Sequence, residues 1–183
     1  MDEAYVIRWY GPFPNKEEVR KWEKRHEDIV CNLYLLHGMK KYAKTTESYY
    51  CGMTLQYVFE RFQDKSHHLY EICDRQHEIY IGQISNKEPS KDDVSKLEKM
   101  FTAYIGYHFD ERNVLNEINF HPPHCDNTLS IVNQWYKPVD LSQWLRLPKT
   151  SPANLISDVM VYRVFDDNST VLYGTQKLKC IWK

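Results

Sequence analysis

The chain has no basic excess: 24 lysines and arginines stand against 25 aspartates and glutamates, for a formal net charge of -1. A dedicated nucleic-acid binder often carries a clear positive surplus, so the overall balance counts against that role. It leaves room for a local basic groove on a near-neutral surface. A disulfide framework is missing too. The five cysteines, Cys31, Cys51, Cys73, Cys125 and Cys180, are odd in number and contain no C-x-x-C pair, which points to reduced thiols in a cytosolic setting. No apolar run approaches the roughly 20 residues of a membrane span. The amino-terminal MDEAYVIRWYG is acidic and has no long apolar core, so it does not read as a signal peptide and a cytoplasmic location is expected. No Pro/Gly/Ser-rich linker or internal repeat divides the 183 residues, a length that suits one domain with a substantial core.

What the chain does have is aromatics, with fourteen tyrosines and five tryptophans. Most of these are expected in strands and core, where such side chains pack best. Ala4 to Tyr10 reads as a strand broken by Gly11, Pro12 and Pro14. Asn15 is an N-cap, with Glu17 and Glu18 in the first turn of a helix to about Asp28. Val19 and Trp22 form its buried stripe, and KWEKRHE reads as a solvated face with no catalytic signal. Ile29 to Leu36 and Ser48 to Met53 read as a hairpin with a long, lysine-rich connection. Lys40, Lys41 and Lys44 in that connection either track a phosphate backbone or form a solvated tip.

Thr54 is placed to cap a helix from about Leu55 to Ser66, where Leu55, Val58, Phe59 and Phe62 recur at i, i+3, i+4 and i+7. Arg61 lies beside that stripe, and a guanidinium suits two-pronged contact with phosphate. Glu78 to Ser85 is a third strand of this group. Ser90 or Asp92 caps a further helix with Val94, Leu97, Phe101 and Tyr104 or Ile105 inside, and Glu98 at the stripe's boundary. The expected class is α/β (α+β): a small mixed or antiparallel central sheet flanked by helices, with a C-terminal β-hairpin around Asp166 to Ser169. That hairpin is expected to pair with the amino-terminal strand, and Trp135, Trp144, Arg146 and LKCIWK are candidates either for DNA contact or for packing. His121, His124, Cys125 and Asp126 read as incidental polar groups in a proline-rich turn rather than a zinc site.

The order Asn32-Leu33-Tyr34, Tyr50-Cys51-Gly52, Arg61, a helical Glu98 and Leu115-Asn116-Glu117 resembles the GIY-YIG nuclease family. The resemblance covers about residues 29 to 118, with 1–28 and 119–183 as elaborations. Asn32 stands where the family has a first glycine, Cys51 where it has isoleucine, and the connection between the tyrosines is longer. Four residues after Arg61, where the family often has histidine or tyrosine, this chain has Lys65, with His67 and His68 just beyond as auxiliary candidates. Asn116 is preferred over Asn113 because Leu-Asn-Glu is similar to the family's closing motif.

The resemblance implies a divalent-metal-dependent DNA endonuclease. Glu98 would bind one Mg²⁺ or Mn²⁺, which keeps several waters and so can be held by a single protein carboxylate. Arg61 would stabilise phosphate charge in the transition state. Tyr34, and secondarily Tyr50, would orient or deprotonate the water, which requires a local cation because a free phenol titrates near pH 10. Asn116 would brace the glutamate helix or the metal's water shell. Double-stranded DNA is the implied partner, with a homodimer if both strands are cut. The rival class is a non-catalytic nucleic-acid- or protein-binding module on the same scaffold.

Overall fold

A computed structural model describes residues 2–42, 46–72, 77–108, 114–116, 127–144, 156–164 and 170–175. These form a mixed α+β fold. Its seven-stranded sheet has the order β3-β2-β4-β1-β5-β6-β7, with β1 (Glu3–Phe13), β2 (Leu33–Met39), β3 (Glu47–Met53), β4 (Glu78–Ile84), β5 (Leu129–Tyr136), β6 (Val159–Val164) and β7 (Thr170–Thr175). Only β1 and β5 run parallel; every other neighbouring pair is antiparallel.

β1 therefore sits in the middle of the sheet, so residues before the GIY-YIG-like stretch are part of its framework. The strand also continues through the expected break at Gly11 and Pro12, with a register shift between Tyr10 and Phe13. Gly11 is needed there: its φ is +153°, and a Cβ would stand 2.7 Å from the Ile79 carbonyl oxygen and 2.6 Å from the Tyr80 ring. The partner expected for β1 was the C-terminal hairpin. The hairpin of β6 and β7 does form, but β6 pairs with β5, and β5 takes the place beside β1. Trp135, a candidate DNA contact, lies on β5 and is 4% exposed, stacked on Trp9 at 5.7 Å. Trp144 is half-buried and donates from its indole to the Gly11 carbonyl at 2.9 Å. Arg146 and LKCIWK lie outside the described residues.

Both faces of the sheet are covered. On one, α3 (Lys91–His108) packs Val94, Leu97, Phe101, Tyr104 and Ile105 against Trp9, Tyr80, Cys51 and Trp135. Ser90 is its cap: the Ser90 hydroxyl accepts from the Asp93 N–H at 3.1 Å, and the Asp93 carboxylate accepts in return from the Ser90 N–H at 2.9 Å. On the other face, α1 (Lys16–Arg25) buries Val19 and Trp22 against Tyr10 and Phe13. Its cap is as expected, with Asn15 accepting from the Glu18 N–H at 3.0 Å.

Three local boundaries differ from the sequence expectation. β2 begins at Leu33 and runs on through His37 and Gly38 to Met39, shortening the lysine-rich connection. The helix expected over Leu55–Ser66 is a single turn, α2 (Val58–Arg61), leaving Leu55 55% and Tyr57 45% exposed. Thr54 closes a small turn onto the Gln56 N–H instead of capping a long helix, and Asp64 does the same onto Ser66, ending the segment. A 3-10 helix, His68–Glu71, follows. Cys31 and Cys51 are free and buried; Cys73, Cys125 and Cys180 lie outside the described residues, as do His121, His124 and Asp126. Among the described residues no helix is long and apolar enough to cross a membrane.

Candidate active site

Tyr34 and Tyr50 reach one another because their strands are paired while their positions alternate to the same face. Tyr34 lies opposite Gly52 and Tyr50 opposite Leu36, so the two phenols are one diagonal step apart, with ring centroids 6.0 Å apart. Gly52 makes this geometry possible, since a Cβ at that position would overlap the end of the Tyr34 ring.

The 3-10 helix delivers the next group. His67, which immediately precedes it, is 3% exposed and packs edge-on against Phe62 at 5.2 Å. Its Nδ1 accepts the Leu69 N–H at 3.0 Å, capping that helix. Burial, reinforced by the Arg61 charge, lowers its pKa to about 4, so the ring is neutral near pH 7. With Nδ1 occupied as an acceptor, the ring's proton resides on Nε2, which donates to Tyr34 Oη at 2.9 Å. The Tyr34 hydroxyl is left with its own proton to donate. The hydrogen bond from His67 thus fixes Tyr34, whose ring stacks beside that of Tyr50.

Arg61 ends α2 with its side chain 42% exposed, paired to Asp64 at 3.2 Å. Its positive charge acts on both Tyr34 and Tyr50. His68 stacks at a tilt on Tyr50, centroids 4.8 Å apart, and its Nδ1 meets the Glu71 carboxylate at 2.5 Å. Lys65 is exposed in the turn and forms no hydrogen bond or ion pair among the described residues. Lys40 and Lys41 are exposed beside the hairpin end; Lys40 bridges Ile72, and Lys44 lies outside the described residues.

Glu98 arrives from the opposite layer. It is half-buried on α3, and its negative charge acts on both Tyr50 and Cys51, whose side chains face opposite sides of β3. The cluster therefore straddles one end of the sheet. Burial pushes the Glu98 pKa up, against a smaller opposing effect of Lys99. No hydrogen bond or ion pair holds its carboxylate among the described residues. Asn116 is buried against β3: its amide accepts from the Cys51 N–H at 3.0 Å and donates to the Cys51 carbonyl at 2.7 Å. With Leu115 N–H donating to the Tyr49 carbonyl at 2.7 Å, the 114–116 segment seals the outer edge of β3. Asn113 lies outside the described residues.

Burial raises both phenols, and Glu98 adds to the effect at Tyr50. Tyr34, at 1% exposure, cannot itself meet a water bound at the surface, so an orienting contact from that residue passes through Tyr50. The groups that face solvent are Arg61, His68 and, in part, Glu98. The side chain that sequence reading missed is Glu23. It falls on the buried stripe of α1, four residues after Val19, is 4% exposed, and binds the backbone of the Arg61 turn. The signal was that i, i+4 spacing within a run otherwise read as solvated.

Among the described residues no three His, Cys, Asp or Glu side chains gather as metal ligands. A metal here would rest on Glu98 with water completing its shell, and a partly desolvated carboxylate without a partner among the described residues fits a hard divalent cation. No family model, curated protein or solved structure matches the chain.

Proposed function

We propose that the protein is a divalent-metal-dependent endonuclease of GIY-YIG type acting on DNA. The observation that carries this reading is the meeting of Tyr34, Tyr50, Arg61, His67 and the charge of Glu98, contributed by five separate segments of the chain. A packing role alone would not require a buried neutral histidine bonded to one of a tyrosine pair, with a guanidinium charge acting on both phenols.

In this reading Arg61 faces the solvent side and grips the scissile phosphate, offsetting charge as the pentavalent state forms. His67 and Tyr34 are positioning residues: the hydrogen bond between them fixes two rings that pack against Tyr50, whose hydroxyl orients the attacking water. Mg²⁺ or Mn²⁺ held by Glu98 would supply Lewis acidity and help the departing oxygen. Asn116 fixes the backbone of Cys51, and through it the strand that bears Tyr50. His68, steered by Glu71, is placed to exchange a proton at the mouth of the cluster.

The test is incubation of the purified protein with plasmid and branched DNA in Mg²⁺, Mn²⁺ or EDTA, with the ends mapped. Metal-dependent strand cleavage is expected; intact DNA under every metal condition overturns the nuclease reading. A second reading, a binding module without catalysis, is favoured by the burial of Tyr34. It would appear in the same experiment as DNA retained by the protein and left uncut. Cutting of both strands at a two-fold symmetric site would mark a homodimer.

A further inference from the structure

A helix of one turn cannot sustain itself, because nucleation fixes several residues before propagation returns anything. α2, which ends on Arg61, is such a helix, and it has no side-chain cap of its own. Its first two N–H groups are met from another element. The Glu23 carboxylate of α1 accepts from the Val58 N–H at 2.7 Å through one oxygen and from the Phe59 N–H at 3.0 Å through the other. A carboxylate buried to this extent is costly unless both oxygens are satisfied, and here the start of a helix satisfies them. The Arg20 guanidinium, from the same face of α1, sits 5.0 Å from the Phe59 ring centre.

α1 is itself fixed to the sheet. Trp22 lies against Tyr10 with centroids 4.8 Å apart and donates from its indole to the Pro138 carbonyl at 2.9 Å. The chain of contacts from sheet to α1 to Glu23 to the α2 backbone ends three residues after Val58 at Arg61, whose charge acts on Tyr34 and Tyr50. We propose that Glu23 is the positioning residue for Arg61, so that the amino-terminal segment, through one carboxylate, sets where the guanidinium stands against the two tyrosines and hence against a bound phosphate. This assignment rests on the nuclease reading for its consequence in turnover, but not for its consequence in geometry.

The experiment compares wild-type protein with Glu23→Gln, which keeps shape and one acceptor but loses the second, by thermal melting, by NMR of the ¹⁵N-labelled Arg61 guanidinium and by cleavage kinetics. Should Glu23→Gln fail to fold, Glu23→Asp, with both oxygens set back by one methylene, carries the same comparison. The expected result is a displaced Arg61 resonance and a kcat lowered at least tenfold per folded molecule. Combined with Arg61→Ala, the substitution adds less than twofold to the loss of kcat, since the two residues act through one group. A merely structural role would lower the melting temperature and leave the resonance and kcat of the folded fraction where they were; that result overturns the proposal. So does a loss of kcat that multiplies with that of Arg61→Ala. If the wild-type protein cuts no DNA, the nuclease reading fails by itself, and the Arg61 resonance alone decides: displacement upholds the positioning and an unmoved signal overturns it.

Discussion

The two faces of the sheet bury similar kinds of side chain for different ends. Beneath α3, Trp9 meets Phe101 edge-on at 5.3 Å and stacks on Trp135, which Tyr80 meets edge-on at 5.5 Å. The Trp9 indole N–H in that layer donates to the Asn133 side chain at 2.8 Å. Beneath α1 and α2, buried polar groups are bonded across segments: His67 to Tyr34, and Glu23 to the turn that holds Arg61. Aromatic packing alone fills space at high density. Aromatics interleaved with a neutral imidazole and a carboxylate hold polar atoms in fixed orientation, which chemistry requires. One face is filled by apolar packing, and the other adds oriented polar groups to an apolar core of its own.

The comparison is broken most severely at the point where the two layers meet. Glu98→Ala should abolish divalent-dependent cleavage while circular dichroism and melting temperature stay near wild type, since no hydrogen bond or ion pair of that carboxylate is lost among the described residues. Undiminished cutting by that variant would sink its assignment. On the packing face the reverse is expected: Trp9→Ala should cost about 3–5 kcal/mol in urea unfolding, as for large-to-small changes in a core. Its effect on turnover should be confined to the unfolded fraction.

The polar face should carry a signature in pH. His67 titrates at about 4 in the folded protein, against an ordinary value near 6.5. Its lowered pKa contributes stability that is fully present above about pH 6.5 and is lost as pH falls towards 4, because the unfolded chain takes up the proton first. Over that window the loss attributable to this group is about 3 kcal/mol. Unfolding free energies of wild type and His67→Gln, measured from pH 7.5 to 4.5, should converge by roughly that amount; a constant gap would mean that His67 is not a neutral, buried donor. The smallest effect is expected at the sealed edge. Asn116→Ala leaves the N–H and C=O of Cys51 unpaired and should cost about 1–3 kcal/mol, with amide exchange at Cys51 accelerated.

Much of the frame was legible in the residues. The N-caps Asn15 and Ser90, the stripe of α3, the pairing of the Tyr34 and Tyr50 strands and the C-terminal hairpin all follow from signals a few residues long. The extent of the Arg61 helix did not. Its apolar spacing was read as three turns, but turns closed by Thr54 and Asp64 flank a single one. His67 stood in the sequence as one of three auxiliary candidates, with Lys65 and His68, and nothing local distinguished it from the exposed Lys65. The neighbours of β1 were equally out of reach, because a parallel partner more than a hundred residues away leaves no periodic trace.

By itself the sequence determined which residues could do chemistry and on what kind of element most of them stand, because caps, alternation and helical spacing are short-range. The tertiary structure alone decided which of them meet. It set a buried imidazole's proton on Nε2 against Tyr34, put Glu98 in the layer opposite Tyr34 with its charge felt at Tyr50, and tied the backbone of the turn that bears Arg61 to the Glu23 carboxylate. Those relations depend on hydrogen bonds and desolvation between distant segments, which exist only once the sheet has brought its strands together.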